Sequence, residues 1–456
     1  MHFPRFSPVA VLALIPCVLF AQPKTLTLQQ AIDISLTRNL NVVLAQNNVE
    51  AAQSQVMAAR GLWLPTLSVN TSWARSQQET YSSGGSQYTL VNGVPVQTSI
   101  GEVNQRILAN SFRTGLNANW TVFDGLNREA SNSAASSQAV AVEQTSVRTR
   151  QSVVFQVVSS YLNVLRNDQL VKVTEENLRR DQRQLERIVE SNRVGALSLA
   201  DVYRQQSQTA NDELSVINAK NTYDKSKADL LALIGMDVYD EYELVDPSIM
   251  GETDTLKMRL TAEQYRDFNA LTQRALQARP DYLGAAENLN AAESQITSAR
   301  SSYIPSIYLS GGYSRYGNEL KLSFRNTNLN WGLGLQWTLF DGFRTNQGVQ
   351  QAVATKRNAE ITLSQAQKNI GVDVRKALLD LEAARKSLEV SQKGLVSAEE
   401  DRKIAEERYN LGAGTLLDLL VASANLVSAQ ANKVNATYGY VTARYNIEYV
   451  LGEKSL

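Results

Sequence analysis

Trp120-Thr121-Val122-Phe123-Asp124-Gly125 returns further along the chain as Trp337-Thr338-Leu339-Phe340-Asp341-Gly342, and the residues on either side return with it. Downstream, the same offset of 217 relates Gly195 to Gly412, Asp201 to Asp418, Asn218 to Asn435, Tyr223 to Tyr440 and Gly235 to Gly452. Upstream, an offset of 240 relates Ala45, Asn48, Ala51, Ala52, Ser54, Gln55, Ala59, Arg60 and Pro65 to Ala285, Asn288, Ala291, Ala292, Ser294, Gln295, Ala299, Arg300 and Pro305. A register kept this long means two units of one shape. The offset changes between the Pro and the Trp of each copy, so the first copy carries 23 extra residues there. An insertion of that size belongs in solvent at a turn.

Around the repeated motif the hydrophobic period switches. Residues 26–64 have helical spacing, ended by Pro65, which biases its predecessor out of the helical region. Beyond it Leu67, Val69, Thr71 and Trp73 alternate with Ser68, Asn70 and Ser72, and Leu116, Ala118, Trp120 and Val122 alternate with Asn117, Asn119 and Thr121. The second copy repeats this with Ile307, Leu309, Gly311 and Tyr313, then with Trp331, Leu333, Leu335, Trp337 and Leu339. Strands are expected at about 66–75, 113–123, 306–315 and 329–340, roughly the 9 to 11 residues with which a tilted strand crosses a bilayer. Small or uncharged residues oppose the apolar stripe, as suits a water-filled lumen. Trp73, Trp120, Trp331 and Trp337 are candidates for an interfacial aromatic belt against outer-membrane lipid. Residues 76–110, rich in Gly, Ser, Gln and Asn, read as an external loop. Four strands cannot close a barrel, and an open edge in lipid leaves backbone groups unpaired, so the strands must be shared between chains.

Composition removes other classes. The 45 Lys plus Arg are matched by 45 Asp plus Glu, which leaves no basic excess for nucleic acid. One Cys and one His supply neither a usual metal site nor a Cys-His catalytic pair, so no cofactor, metal or enzymatic activity is expected. Both lie in an opening stretch, residues 1–21, that reads as a secretory signal: Arg5, an apolar run from Val9 to Phe20, then Ala21 as a cleavage point. Lipidation of Cys17 would need a small residue before it, where the chain has Pro16. Later stretches fall short of the run of about 20 apolar residues that a membrane helix needs.

After each Asp-Gly the helical period returns for about 70 residues, roughly 100 Å of helix, over 125–194 and 342–411. Val374, Ala377, Leu381, Ala384, Leu388, Ser391, Leu395 and Ala398 trace a coiled-coil seam, and so do Leu420, Ala424, Val427, Ala431, Val434, Tyr438, Val441 and Tyr445. Asp124 and Asp341 are expected as N-caps of these helices. Each helix ends at a turn, Val194-Gly195 or Leu411-Gly412, followed by Ser198 with Asp201 or Thr415 with Asp418 at capping-box spacing. Return helices are expected over 198–235 and 415–452. The two Asp residues have a structural role as caps and, in a symmetric oligomer, a second as an acidic ring at the end of a duct. A coiled-coil structural protein of the periplasm without a pore is the competing reading, and it has no use for the alternating strands.

In this order, twice over, these features resemble the TolC family of outer-membrane efflux and export ducts. The resemblance implies a mainly α protein with a membrane β-barrel: a homotrimer whose twelve strands form one barrel, continued by an α-helical tunnel through the periplasm. It gives repeat one as 22–236, a linker and equatorial segment as 237–268, and repeat two as 269–456. It also implies a periplasmic adaptor protein docking at Val194, Gly195, Leu411 and Gly412, an inner-membrane pump supplying efflux or type I secretion substrates, and an entrance formed by Asp201, Tyr409 and Asp418. The chain departs from the family pattern at Gly414, where an Arg is usual, and at Val421, where a second Asp is usual, so its latch must differ.

Overall fold

The computed structural model describes residues 24–82, 84–100, 103–239, 242–245, 263–319 and 326–453; the expected signal segment with Cys17, and most of the expected linker, lie outside them. In chain order the described elements are β1 (Lys24–Leu26), α1 (Leu28–Arg38), α2 (Leu40–Gly61), β2 (Thr66–Ser82), β3 (Gly85–Val91), β4 (Val94–Ile100), β5 (Val103–Phe123), α3 (Asn127–Arg193), α4 (Leu199–Ile234) and β6 (Tyr242–Leu244). They continue with α5 (Phe268–Ala278), α6 (Pro280–Ser301), β7 (Ser306–Gly317), β8 (Asn326–Gln336), α7 (Arg344–Asn410) and α8 (Leu416–Leu451). These residues divide into two compact units, one of Gln46–Ser146 with Pro280–Lys368, the other of Val147–Arg279, the residues up to Ala45 and those from Asn369 onward.

The first unit holds an antiparallel sheet in the order β2-β5-β7-β8. Its strands depart from the expected lengths. β2 and β5 stay paired out to Ser82 and Val103, and the expected loop contains a further hairpin, β3 with β4. The composition of that stretch suggested a loop, but Asn92-Gly93, both at positive φ, forms the tight turn that a two-residue hairpin demands. β8 stops at Gln336, four residues before the expected end, because the backbone there already turns toward α7. Against the start of α3, α6 packs through small groups: Ser298 donates to Asn127 at 2.6 Å and Ser294 to Ser133 at 3.0 Å.

The second unit is helical, with β1 and β6 as a short parallel pair. Its core gathers Ile32, Val157, Leu162, Leu230, Leu231, Ile234, Val374, Tyr440, Val441 and Leu451, and Tyr161, fully buried, donates its hydroxyl to Leu26 O at 2.8 Å. The helix expected over 26–64 is broken at Asn39, whose side chain donates to Leu233 O at 2.8 Å and accepts from Asn41 N at 2.9 Å. Arg279 breaks the second copy at the matching place, with its guanidinium on Asp373 at 2.9 Å. One seam is corrected. Val374, Ala377, Leu381 and Leu388 are buried as the spacing requires, but the first turns of α8 bury Leu419, Ala422 and Leu426 rather than Leu420 and Ala424. Leu416-Leu417-Asp418-Leu419-Leu420 offers two apolar stripes one residue apart, and only the packing partner chooses between them.

Candidate functional sites: a two-faced sheet and two helix turns

Paired residues of antiparallel strands share a face, so the registers settle which side chains stand together. Leu67, Ala118, Gly311 and Trp331 form one row; Val69, Leu116, Tyr313 and Leu329 form the next; Trp120, Leu309 and Leu333 form a third. All lie on one face. Leu329 is 75% exposed and Trp331 81% exposed, so this chain alone leaves that face uncovered. On the other face stand Ser68, Asn117, Gly312 and Asn330, then Asn70, Gly115, Ser314 and Asn328. Arg113 is its one charged side chain among the described residues of the four strands. The outer end of the Tyr308 ring reaches over Gly334 there, filling the place where a Cβ would stand.

The expected belt residues occupy different levels. Trp120 donates its indole N–H to Trp63 O at 2.9 Å, and Trp337 donates to Tyr303 O at 3.1 Å, matching bonds that fasten each strand to the bend after a helix. Trp73, paired with Phe112, stands on the row that reaches Gly317, where β7 ends. Trp331 departs from the expected edge position, since it sits inside the apolar field one row from Trp120.

Between strand and long helix both copies run through a left-handed turn, with Gly125 and Leu126 at φ 69 and 73, and Gly342 and Phe343 at φ 70 and 68. Here the expected N-caps diverge. Asp341 accepts from the Thr345 N–H at 2.7 Å and its hydroxyl at 2.6 Å, and so caps α7. Asp124 instead pairs with Arg128 at 3.4 Å, because Arg128 stands where the second copy has Thr345. The buried Arg128 guanidinium also donates to Thr121 O and Val122 O at 2.7 and 2.8 Å, holding the bulge at which β5 slips against β7.

At the far ends of α3 and α7 the two turns are superposable in their bonding. Gly195 N–H donates to Asn192 O at 2.9 Å and Ala196 N–H to Ser191 O at 2.8 Å; Gly412 donates to Tyr409 O at 3.0 Å and Ala413 to Arg408 O at 2.8 Å. This is the double bond of a glycine-ended helix. Val194 and Leu411, just before each Gly, are largely exposed. Asp201 N–H donates to Ser198 Oγ at 3.2 Å, and Thr415 with Asp418 makes the full reciprocal box.

Asp201 and Tyr409 come near enough for the Asp201 charge to add to burial in raising the Tyr409 phenol, yet no bond joins them. The Asp201 carboxylate is taken by the Ser198 hydroxyl at 2.7 Å and by Arg204 at 3.1 Å. Arg204 escaped the sequence reading, although a cation three residues after an acid on a helix is the spacing of an ion pair.

Asp418 is held below the usual carboxylate range, first by the Thr415 backbone N–H and then by its hydroxyl. A depressed folded value means that its stabilising effect is present above about pH 4 and lost as pH falls through the folded value. On acidification the amides of Leu416–Leu419 are expected to lose exchange protection, measured by hydrogen exchange corrected for intrinsic rate. Asp418→Asn should remove that dependence; if the variant keeps it, the cap is not its origin.

A sheet with one lipophilic and one hydrated face, leading into helices of 67 residues, defines a subunit of an outer-membrane channel. No described helix is long and apolar enough to cross a membrane. The chain belongs to the outer membrane efflux protein family, whose sequence model matches residues 31–236 and 271–453. Among its relatives, the outer membrane protein TolC of Escherichia coli is 22% identical over 88% of this chain and 77% of its own length. The probable efflux pump outer membrane protein TtgC of Pseudomonas putida is 26% identical over 93% of this chain and 82% of its own. The Campylobacter jejuni CmeC outer membrane channel shares the fold with a TM-score of 0.75 at 20% identity, over 94% of this chain and 87% of that one. CusC matches with a TM-score of 0.76 at 18% identity, over 99% of both chains. The protein is therefore an outer-membrane channel component for efflux or secretion, and its family is one of transport channels.

Proposed function

We propose that three copies close one twelve-stranded barrel, β8 of each pairing with β2 of the next, and that the helices continue it as a passive duct through the periplasm. The observation that carries this is the two-faced sheet with two free edges, β2 and β8. In lipid the unpaired N–H and C=O groups of those edges demand partners, and four strands fall well short of the roughly eight of the smallest membrane barrels. The apolar rows then meet lipid, with Trp120 and Trp337 at the helix-side interface and Trp73 at the other, and the Asn and Ser rows meet water. Substrates arrive from an inner-membrane pump through an adaptor that docks on the exposed Val194-Gly195 and Leu411-Gly412 turns. Asp201, Tyr409 and Asp418 line the entrance, with Arg204 offsetting part of its acidity.

Two measurements test this. In a Cys17→Ser background, Asn330→Cys is expected to react with a membrane-impermeant thiol reagent while Leu333→Cys stays protected by lipid; equal labelling would overturn the two-faced reading. Extracted in mild detergent, the protein should have the mass of three chains, whereas a monomer that needs no detergent would leave the poreless coiled-coil reading standing.

A further inference from the structure

The seam between α3 and α4 is polar over several turns on the side toward their connecting turn. Asn177, Asp181 and Gln184 from α3 are buried against Gln205, Thr209 and Asp212 from α4, with Asp181 and Asp212 each 7% exposed and Gln205 fully buried. Gln205 donates to Asp181 O at 3.3 Å and Gln208 to Asp212 Oδ1 at 3.0 Å. Two acceptors remain orphaned: Asp212 Oδ2 and Gln205 Oε1 have no donor. The carboxyls of Asp181 and Asp212 face each other within hydrogen-bonding reach, and two ionised carboxylates offer no proton to share. A buried acceptor left so is destabilising.

The second copy shows that this polarity is not needed to build such a helix pair. At the offset of 217, Asp181, Gln205 and Asp212 correspond to Ala398, Ala422 and Ala429. One helix pair is joined through acids and its counterpart through small apolar side chains, so only the first carries groups whose charge can change with pH.

We propose that Asp181 and Asp212 form a site for one proton held between their carboxyls, and that this proton clasps α3 to α4 about 18 Å from their turn. With it bound, one carboxyl becomes a donor and Asp212 Oδ2 gains its partner. Without it, two like charges face each other in a buried seam and drive the helices apart. The charged groups facing Asp181 are Arg180 on its own helix, Asp212 on α4 and Arg402 on α7. Arg402 also pairs with Glu406 at 3.1 Å and Arg180 with Glu176 at 3.9 Å, so each guanidinium offsets the acid pair only in part.

Burial first, then the bond to Asp212 and its charge, push Asp181 up to about 7, against the pull of Arg180 and Arg402. An acid whose folded value is raised holds a proton that the unfolded chain releases. Its stabilising effect is complete below about pH 4 and is lost as pH rises through the folded value. The clasp therefore closes in mild acid and opens at alkaline pH. The proposal concerns the helix pair alone and does not require the pore.

Hydrogen exchange on the full-length protein in detergent, corrected for intrinsic rate, tests it at pH 5.5 and pH 8. Peptides covering 177–184 and 205–212 are expected to lose about thirtyfold in protection at the higher pH, the part of the shift from about 4 to about 7 that falls between the two pH values. Those covering 394–401 and 422–429 should hold theirs. Asp181→Asn and Asp212→Asn, which keep the shape and supply a permanent donor, should each abolish the loss. Equal protection at both pH values, an equal loss in the two helix pairs, or a loss that persists in both variants would overturn the clasp. A pore that fails to form while this pattern appears would sink the duct and leave the clasp intact.

Discussion

Replacing Gly125 with alanine is expected to cost the fold roughly 2–5 kcal/mol, against about 1–2 kcal/mol for the same change at Gly342, although the two glycines hold matching places in the repeat. Both have a positive φ, 69 and 70, so both replacements meet the left-handed penalty of an L side chain. What separates them is space. A Cβ on Gly125 would stand 2.7 Å from Ser301 O and 2.9 Å from Ile304 Cβ, whereas around Gly342 nothing lies within 4 Å. A backbone carbonyl cannot swing aside as a long side chain can, so the bend after α6 would have to move with it. Thermal unfolding of the two variants in detergent should show Gly125→Ala several degrees below Gly342→Ala. Equal midpoints would mean that the bend yields and that the close approach carries no weight.

The second large effect is expected at Arg128. Arg128→Met leaves the Asp124 carboxylate without its counter-ion and removes the donors from Thr121 O and Val122 O, a loss of about 3–5 kcal/mol when a buried pair is broken from one side. Arg128→Thr should lose less. It copies the arrangement of the second repeat, where Thr345 gives Asp341 both a backbone N–H and a hydroxyl. The carbonyls at the bulge would still go unpaired, so recovery should be partial. Midpoints of thermal unfolding ordered native, then Thr, then Met support this account; Met at or above Thr would show that the guanidinium stem packs and does little else.

Much of this was legible in the sequence, and the reasons for the remainder are physical. Alternation from Leu67 and from Trp331 announces a strand with two faces because side chains leave a strand in opposite directions whatever its partner. Gly195 and Gly412 with their following caps are local signals, complete within a dozen residues. The break at Asn39 is otherwise. Nothing nearby interrupts the helical period, and the bond that fixes it comes from Leu233, far along the chain. Pro280 at the matching place was the available clue, since Pro favours the first turn of a helix. Asp181 and Asp212 lie on different helices, and only the fold brings them together. Asn92-Gly93, by contrast, was plain in the sequence and was outweighed by the polar composition around it.

The upper part of β2 and β5, with the Tyr88 and Val96 hairpin beyond, adds a finger that the shorter β7 and β8 do not share. Its described side chains are almost all exposed and touch neither core. Substitutions there carry little penalty in folding, so drift, grafting or wholesale exchange of this one projection can proceed while both cores stay fixed. In the threefold assembly proposed above, with this end facing outward, the cell would carry three freely variable tips, one from each subunit, through which its outward appearance could change without retuning what passes inside.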